Sequence, residues 1–182
     1  METTSPVKTL WTIDPTHSEI LFKVRHLMVS NVTGNFSSFN GTVETTSDDF
    51  ENAHVTFSAD IDSISTNMEQ RDAHLKSPDF FDAASHPKLT FESTSMKKTD
   101  DDTYAIAGNL TIRGTTKPVT LKAEYGGQMV DFYGNTKAGF EITGKINRKE
   151  FGLSWDAVTE AGGVVVSDEV RLVLNVQVAR QA

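Results

Sequence analysis

The chain has no cysteine, so any chemistry it performs must come from its histidines, arginines, carboxylates and hydroxyls. Its five histidines, His17, His26, His54, His74 and His86, fall in neither an HxH nor an HExxH spacing. A dedicated metal site is therefore not expected. A nucleophile would have to be serine or threonine, and no Gly-x-Ser-x-Gly elbow is present. No glycine-rich phosphate loop precedes a helix. The sequence thus points away from an enzyme, and no catalytic residue is assigned. Three polar groupings remain. His26 lies in the apolar row of a strand, either as a satisfied core histidine or as a hydrogen-bonding group inside a pocket. Arg71 and His74, three apart, share a helix face with Asp72 nearby, either as a solvated salt-bridge face or as groups meeting a polar head. Arg148 continues the inward parity of Ile142, Gly144 and Ile146, and Asp168 that of Val170 and Leu172. An inward charge must be paired to be tolerated, so Arg148 and Asp168 (or Glu169) are expected to form a structural ion pair at one end of the fold.

The elements that position these groups are strands. From Ile20 the chain alternates, with Ile20, Phe22, Val24, His26 and Met28 on one face and Glu19, Lys23 and Arg25 on the other. Leu10–Ile13 reads as a short leading strand after a frayed stretch of residues 1–9. Met28 to Asn35 reads as an irregular or helical crossing, and Phe36 to Thr45 as one strand. Val55 to Asp62 alternates again, with Ile61 inward. Further inward rows are Leu89, Phe91, Ser93 and Ser95; Tyr104 to Ile112; Val119 to Tyr125; Phe140 to Ile146; and Val170 to Val178. Residues 128–139 fit either an edge strand or a loop. One helix is predicted over about 67–76, opened by a Thr66-Asn-Met-Glu69 capping box and stopped by Ser77-Pro78. With the loop behind it, this helix should cover an open end of the sheet.

Seven or eight strands with one apolar face each suit a single all-β domain, barrel or sandwich. A barrel of about eight strands holds either its own side chains or one small ligand. Small inward residues (Ala59, Ser93, Gly108, Ala123, Gly144) either open a cavity or seat large neighbours. The formal net charge of −8, without a basic aromatic strip, argues against a nucleic-acid partner. No apolar run of about 20 residues predicts a membrane span. The first residues lack a basic and an apolar region, so a cytoplasmic protein is expected, or a periplasmic one if a leader precedes it.

Several fragments carry a resemblance. Asp14-Pro-Thr-His17-Ser18, Phe22-Lys-Val-Arg-His26-Leu27 and Gly34-Asn-Phe36-Ser-Ser-Phe39-Asn-Gly41 come first. Arg71-Asp-Ala-His74-Leu75-Lys-Ser-Pro-Asp-Phe80-Phe81-Asp82 and Pro87-Lys-Leu-Thr-Phe91 follow. Gly108 to Val119 and Asn147-Arg148-Lys-Glu-Phe151-Gly152 complete the set. From about Trp11 to Val178 the chain resembles the YceI-like family. The resemblance implies an antiparallel, lipocalin-like β-barrel holding a polyisoprenoid or similar amphiphile in an internal cavity, with no other cofactor. On that footing Phe22, Val24, His26, Phe57, Ile61, Phe91, Leu110, Ile112, Phe140, Ile142, Leu172 and Leu174 are the expected cavity wall. Arg71, His74, Leu75, Phe80 and Phe81 are the expected mouth and lid. Phe151 and Trp155 should plug or rim the end near Arg148, and a homodimer is expected, with Leu21 and Leu27 on its outer face. The rival readings are a packed barrel acting as an interaction module, and an enzyme using His26 on a bound lipid.

Overall fold

The computed structural model describes residues 8–26, 30–47, 49–153 and 166–181, with the His26 side chain outside the description. Eleven strands form one antiparallel sheet: β1 (Thr9–Ile13), β2 (Glu19–His26), β3 (Ser30–Phe36), β4 (Phe39–Thr45), β5 (His54–Asp60), β6 (Ile64–Ser65), β7 (Lys88–Asp100), β8 (Thr103–Ile112), β9 (Thr115–Val130), β10 (Thr136–Asn147) and β11 (Val166–Arg180). One helix, α1 (Glu69–Lys76), interrupts them. The pairing shows that six of these strands are halves of three ribbons. β1 and β2 both lie along the same edge of β11, at Ile13↔Val178 and then Glu19↔Asn175. On the other side β1 pairs with β4 and β2 with β3, while β4 pairs with β5 and β3 with β6. Three broken ribbons and the five unbroken strands β7–β11 close an eight-stranded up-and-down barrel, the lipocalin-like class expected.

The breaks fall side by side at residues 14–18, 37–38 and 61–63. Across each one the inward row changes parity. Trp11 and Ile13, Phe39, Gly41 and Val43, and Val55, Phe57 and Ala59 face inward on one side of the waist. Ile20, Phe22 and Val24, Val32 and Phe36, and Ile64 do so on the other. Phe36 and Phe39 therefore both face inward although they stand three positions apart, which one continuous strand cannot achieve. That corrects the single strand expected over Phe36 to Thr45. The irregular crossing expected from Met28 to Asn35 is also corrected, because Ser30–Phe36 pairs along β2 from His26↔Ser30 to Ile20↔Phe36. The ambiguous stretch 128–139 is the end of β9, a turn and the start of β10. In β7 a bulge between Ser93 and Ser95 shifts the register, and Met96 rather than Ser95 faces inward. Residues 1–7, Leu27, Met28 and Trp155 lie outside the described residues.

The first break is held by Asp14. Its Oδ1 accepts from the amide (3.0 Å) and hydroxyl (2.7 Å) of Thr16, and its Oδ2 lies 2.8 Å from His17 Nδ1 and accepts from Lys137 Nζ at 3.2 Å. The Thr16 hydroxyl and His17 ring, with Lys137 and the Thr16 amide, hold the carboxyl well below the usual carboxylate range against the opposing effect of burial. A depressed folded-state pKa stabilises above the unfolded value, about 3.9, and that stabilisation is lost as pH falls through the folded value. Asp14→Asn should lower the melting temperature at pH 7 and flatten its acid limb, so that the difference between the two proteins narrows progressively as pH falls below about 4. Parallel melting curves from pH 7 to pH 2 would exclude this role.

The capping box is corrected as well. α1 begins at Glu69 after Met68, without a side-chain cap. Asn67 has a positive φ of 63°, which turns Thr66 away from the helix start. Thr66 instead donates its amide (2.8 Å) and hydroxyl (2.6 Å) to Asp72 Oδ1. No residue of α1 is buried. After Ser65 the chain leaves the wall and returns at Lys88, and α1 with its loop spans that interval. Phe80 is buried there, and Phe81 meets Phe36 edge-on at 6.2 Å.

Candidate ligand-binding site

Two adjoining cavities run along the barrel. The inner one, about 150 Å³, presents only apolar surface, from residues that include Ile20, Phe57, Phe91, Leu110, Phe140, Ile142 and Leu174. The outer one, about 270 Å³, lies under α1 and its loop and is walled by Val24, Val32, Leu75, Phe80, Phe81, Leu153 and Val170. Six residues line both: Phe22, Phe36, Leu89, Ile112, Ile146 and Leu172. The volumes fall in the range of small-molecule sites, about 300–1,000 Å³, only when the two are taken together.

The small inward residues do not make this space. A Cβ on Gly34 would sit 2.2 Å from the Phe22 ring, one on Gly108 2.5 Å from the Phe91 ring, and one on Gly144 2.4 Å from Leu121. Each of these glycines seats a large neighbour, and Ala59 and Ala123 are buried in the core. The cavities are bounded by large residues whose side chains do not meet across the axis. At the far end Phe50 closes the inner cavity, with rings of Trp11, Phe140 and Tyr125 5.3, 4.8 and 5.7 Å away.

Of the expected wall, Phe22, Val24, Phe57, Phe91, Leu110, Ile112, Phe140, Ile142, Leu172 and Leu174 line one or both cavities. Ile61 does not. It sits in the 3₁₀ turn of the third break, buried with Ile20, Phe36, Ala59 and Ile64, because the break ends the strand alternation before it. The side chain of His26 lies outside the description. Arg71, His74, Leu75, Phe80 and Phe81 all border the outer cavity. Leu89, Ile146 and Val170, which have the same inward parity as the expected wall, line the cavities as well, and so does Phe36, which a continuous strand to Thr45 would put out of phase with Phe39. Arg25 borders the outer cavity despite its outward parity, for it stands one residue from the end of β2.

The polar groups sit in the outer cavity. Arg71 donates from Nε to Thr66 Oγ1 and from Nη2 to Thr66 O, both at 2.7 Å. His74 Nε2 lies 2.9 Å from Asp79 Oδ2, and its ring stands edge-on to Phe80 at 5.0 Å. Arg148, 3% exposed, donates to the carbonyls of Leu153 (2.6 Å), Ser167 (2.9 Å) and Val166 (3.3 Å). Its distance to Asp168 is 4.0 Å, whereas Lys149 approaches Asp168 to 3.1 Å. β10 and β11 pair as expected up to Asn147↔Glu169, and among the described residues Arg148 reaches the three carbonyls more closely than it reaches Asp168. Among the described residues no three metal-ligating side chains converge, and no helix is long and apolar enough to cross a membrane.

The chain matches a family model, described as the YceI-like domain, over residues 11–178. The chain belongs to that family. The protein YceI of Salmonella newport is 39% identical over 165 residues, covering 91% of this chain and 83% of the relative. The crystal structure of the Campylobacter jejuni YceI protein superposes with a TM-score of 0.72 at 34% identity, over 88% of this chain and 91% of that one. A polyisoprenoid binding domain from Saccharophagus degradans has a TM-score of 0.67 over 94% of this chain and 98% of its own, and at 14% identity it attests the fold alone. The YceI-like assignment covers every strand from Trp11 onward and both cavities.

Proposed function

We propose that this YceI-like barrel binds a long-chain amphiphile, a polyisoprenoid or fatty lipid, and acts as a soluble carrier or sequestering protein without transforming it. The observation that carries the reading is the sequence of environments along the barrel: an inner cavity with an apolar surface, a shared waist, and an outer cavity where the ionisable side chains collect. A molecule suited to both is apolar along its length and polar at one end. Each buried CH₂ contributes about 0.8 kcal/mol, so about ten carbons reach a gross affinity near micromolar. The name of the Saccharophagus degradans domain is consistent with such a ligand.

Mass spectrometry of protein purified without detergent should find a stoichiometric amphiphile, and delipidated protein should take up a fluorescent fatty probe. Leu172 lines both cavities, so Leu172→Trp should cut probe affinity by about tenfold or more by blocking the waist, since a tail kept out of the inner cavity loses several CH₂ burials. An empty protein that refuses every tail probe would reverse the reading in favour of an interaction module. One feature favours that second reading. The β9–β10 turn bears Met129, Val130, Phe132 and Tyr133, all exposed. The unfilled interior weighs against it.

A further inference from the structure

We propose that the head group of the bound amphiphile is anionic, a carboxylate or a phosphate ester, and that Arg71, assisted by Arg25, selects it at the outer cavity. This rests on the carrier reading and narrows it. The protein has a formal net charge of −8, yet the ionisable side chains lining the outer cavity among the described residues are Arg25, Arg71, His74 and Arg148, with no aspartate or glutamate. The nearby carboxylates are turned to other tasks. Asp72 accepts from Thr66, Asp79 lies against His74, and Asp168 is closest to Lys149.

Arg71 has the properties of a prepared anion receptor. Two of its donors are fixed on Thr66, which sets the plane of the guanidinium, and an arginine has five donors in all. Neither Arg71 nor Arg25 has a carboxylate within 4.0 Å among the described residues. The guanidinium bonds directly to neutral oxygens and meets Asp72 only through the shared Thr66 hydroxyl, and apolar walls such as Phe80, Phe81 and Leu75 strengthen its field by excluding water. An anion there gains charge-assisted, bidentate hydrogen bonds with little ordering cost on the protein's side. An alcohol or amide head offers no charge to answer the arginines.

The test uses delipidated full-length protein and three ligands with the same tail, dodecanoate, dodecyl phosphate and dodecanol, each displacing a fluorescent tail probe. One or both anions should bind about tenfold or more tighter than the alcohol, the scale of a charged hydrogen bond. The preferred anion tells a fatty acid from a phosphate ester. Arg71→Gln should remove the preference by weakening the binding of the anions, and Arg25→Gln should reduce it by less. Equal affinity for all three heads in the wild-type protein overturns the head-group inference and leaves the tail-binding barrel standing. Failure of all three to bind overturns the carrier reading itself. The wild-type comparison needs no variant, so a poorly folding Arg71→Gln protein cannot obscure the answer.

Discussion

Arg148→Ala is expected to lower the melting temperature by about 10 °C. Removing one side of a buried charged network costs about 3–5 kcal/mol, and each kcal/mol moves the midpoint of a chain this size by about 2–4 °C. The guanidinium joins Leu153, where the described chain leaves the 3₁₀ turn 148–151, to Val166 and Ser167, where β11 begins. Alanine leaves those carbonyls without these donors in a site where Phe151 is also fully buried. Arg148→Lys should recover only part of the loss, because an ammonium cannot span carbonyls in three directions. Asp168→Asn is the discriminating control. Asp168 is half exposed and 4.0 Å away, so its loss should cost under about 1 kcal/mol. If Asp168→Asn destabilised as much as Arg148→Ala, the ion pair and not the carbonyl staple would hold this end together.

Phe50→Ala should be comparably damaging and should also change how ligand enters. Phe50 is 2% exposed and packed among Trp11, Tyr104, Tyr125 and Phe140. Truncating a buried phenylalanine costs about 3–5 kcal/mol. The same ring caps the inner cavity, so its removal opens the barrel at the end opposite α1. Thermal melts should show the destabilisation, and stopped-flow uptake of a fluorescent tail probe should be faster in the variant. A loss below about 1 kcal/mol, against the range usual for such truncations, together with unchanged uptake, would show that Phe50 is not the plug.

Most of the barrel was legible because alternation is a local signal. Tyr104 to Ile112, Phe140 to Ile146 and Val170 to Val178 read correctly from their apolar rows alone. The misreadings gather where the chain changes parity. Nothing in Phe36-Ser-Ser-Phe39 marks a break between two inward phenylalanines, and it emerges only from pairing with β2 on one side of the waist and β1 on the other. Phe50 was lost for a related reason. A lone aromatic inside the polar run Ser47 to Asn52 looks like a turn residue until the fold tucks it beneath the barrel. The small inward residues leave a cavity and a packed core equally open and the resemblance favours the cavity; in the structure Gly108 seats the Phe91 ring and Gly144 seats Leu121, and large side chains bound the space. Arg71 and His74 are placed at the mouth by the helix that carries them, but that Arg71 has no carboxylate within 4.0 Å among the described residues belongs to tertiary structure.

The three side-by-side breaks make the waist of the barrel behave like a reading frame. Each N-terminal ribbon is spelled in one phase on one side of residues 14–18, 37–38 and 61–63 and in the other phase beyond them. A single residue gained or lost at one break would be a frameshift for half a ribbon, turning Val32 and Phe36, for example, toward water while their neighbours on β2 stayed in phase. Turns at the two ends of the barrel are free of that constraint, because a change there moves no strand relative to its partner. Length variation in this fold should therefore collect at the rims, and at the waist it should come in twos.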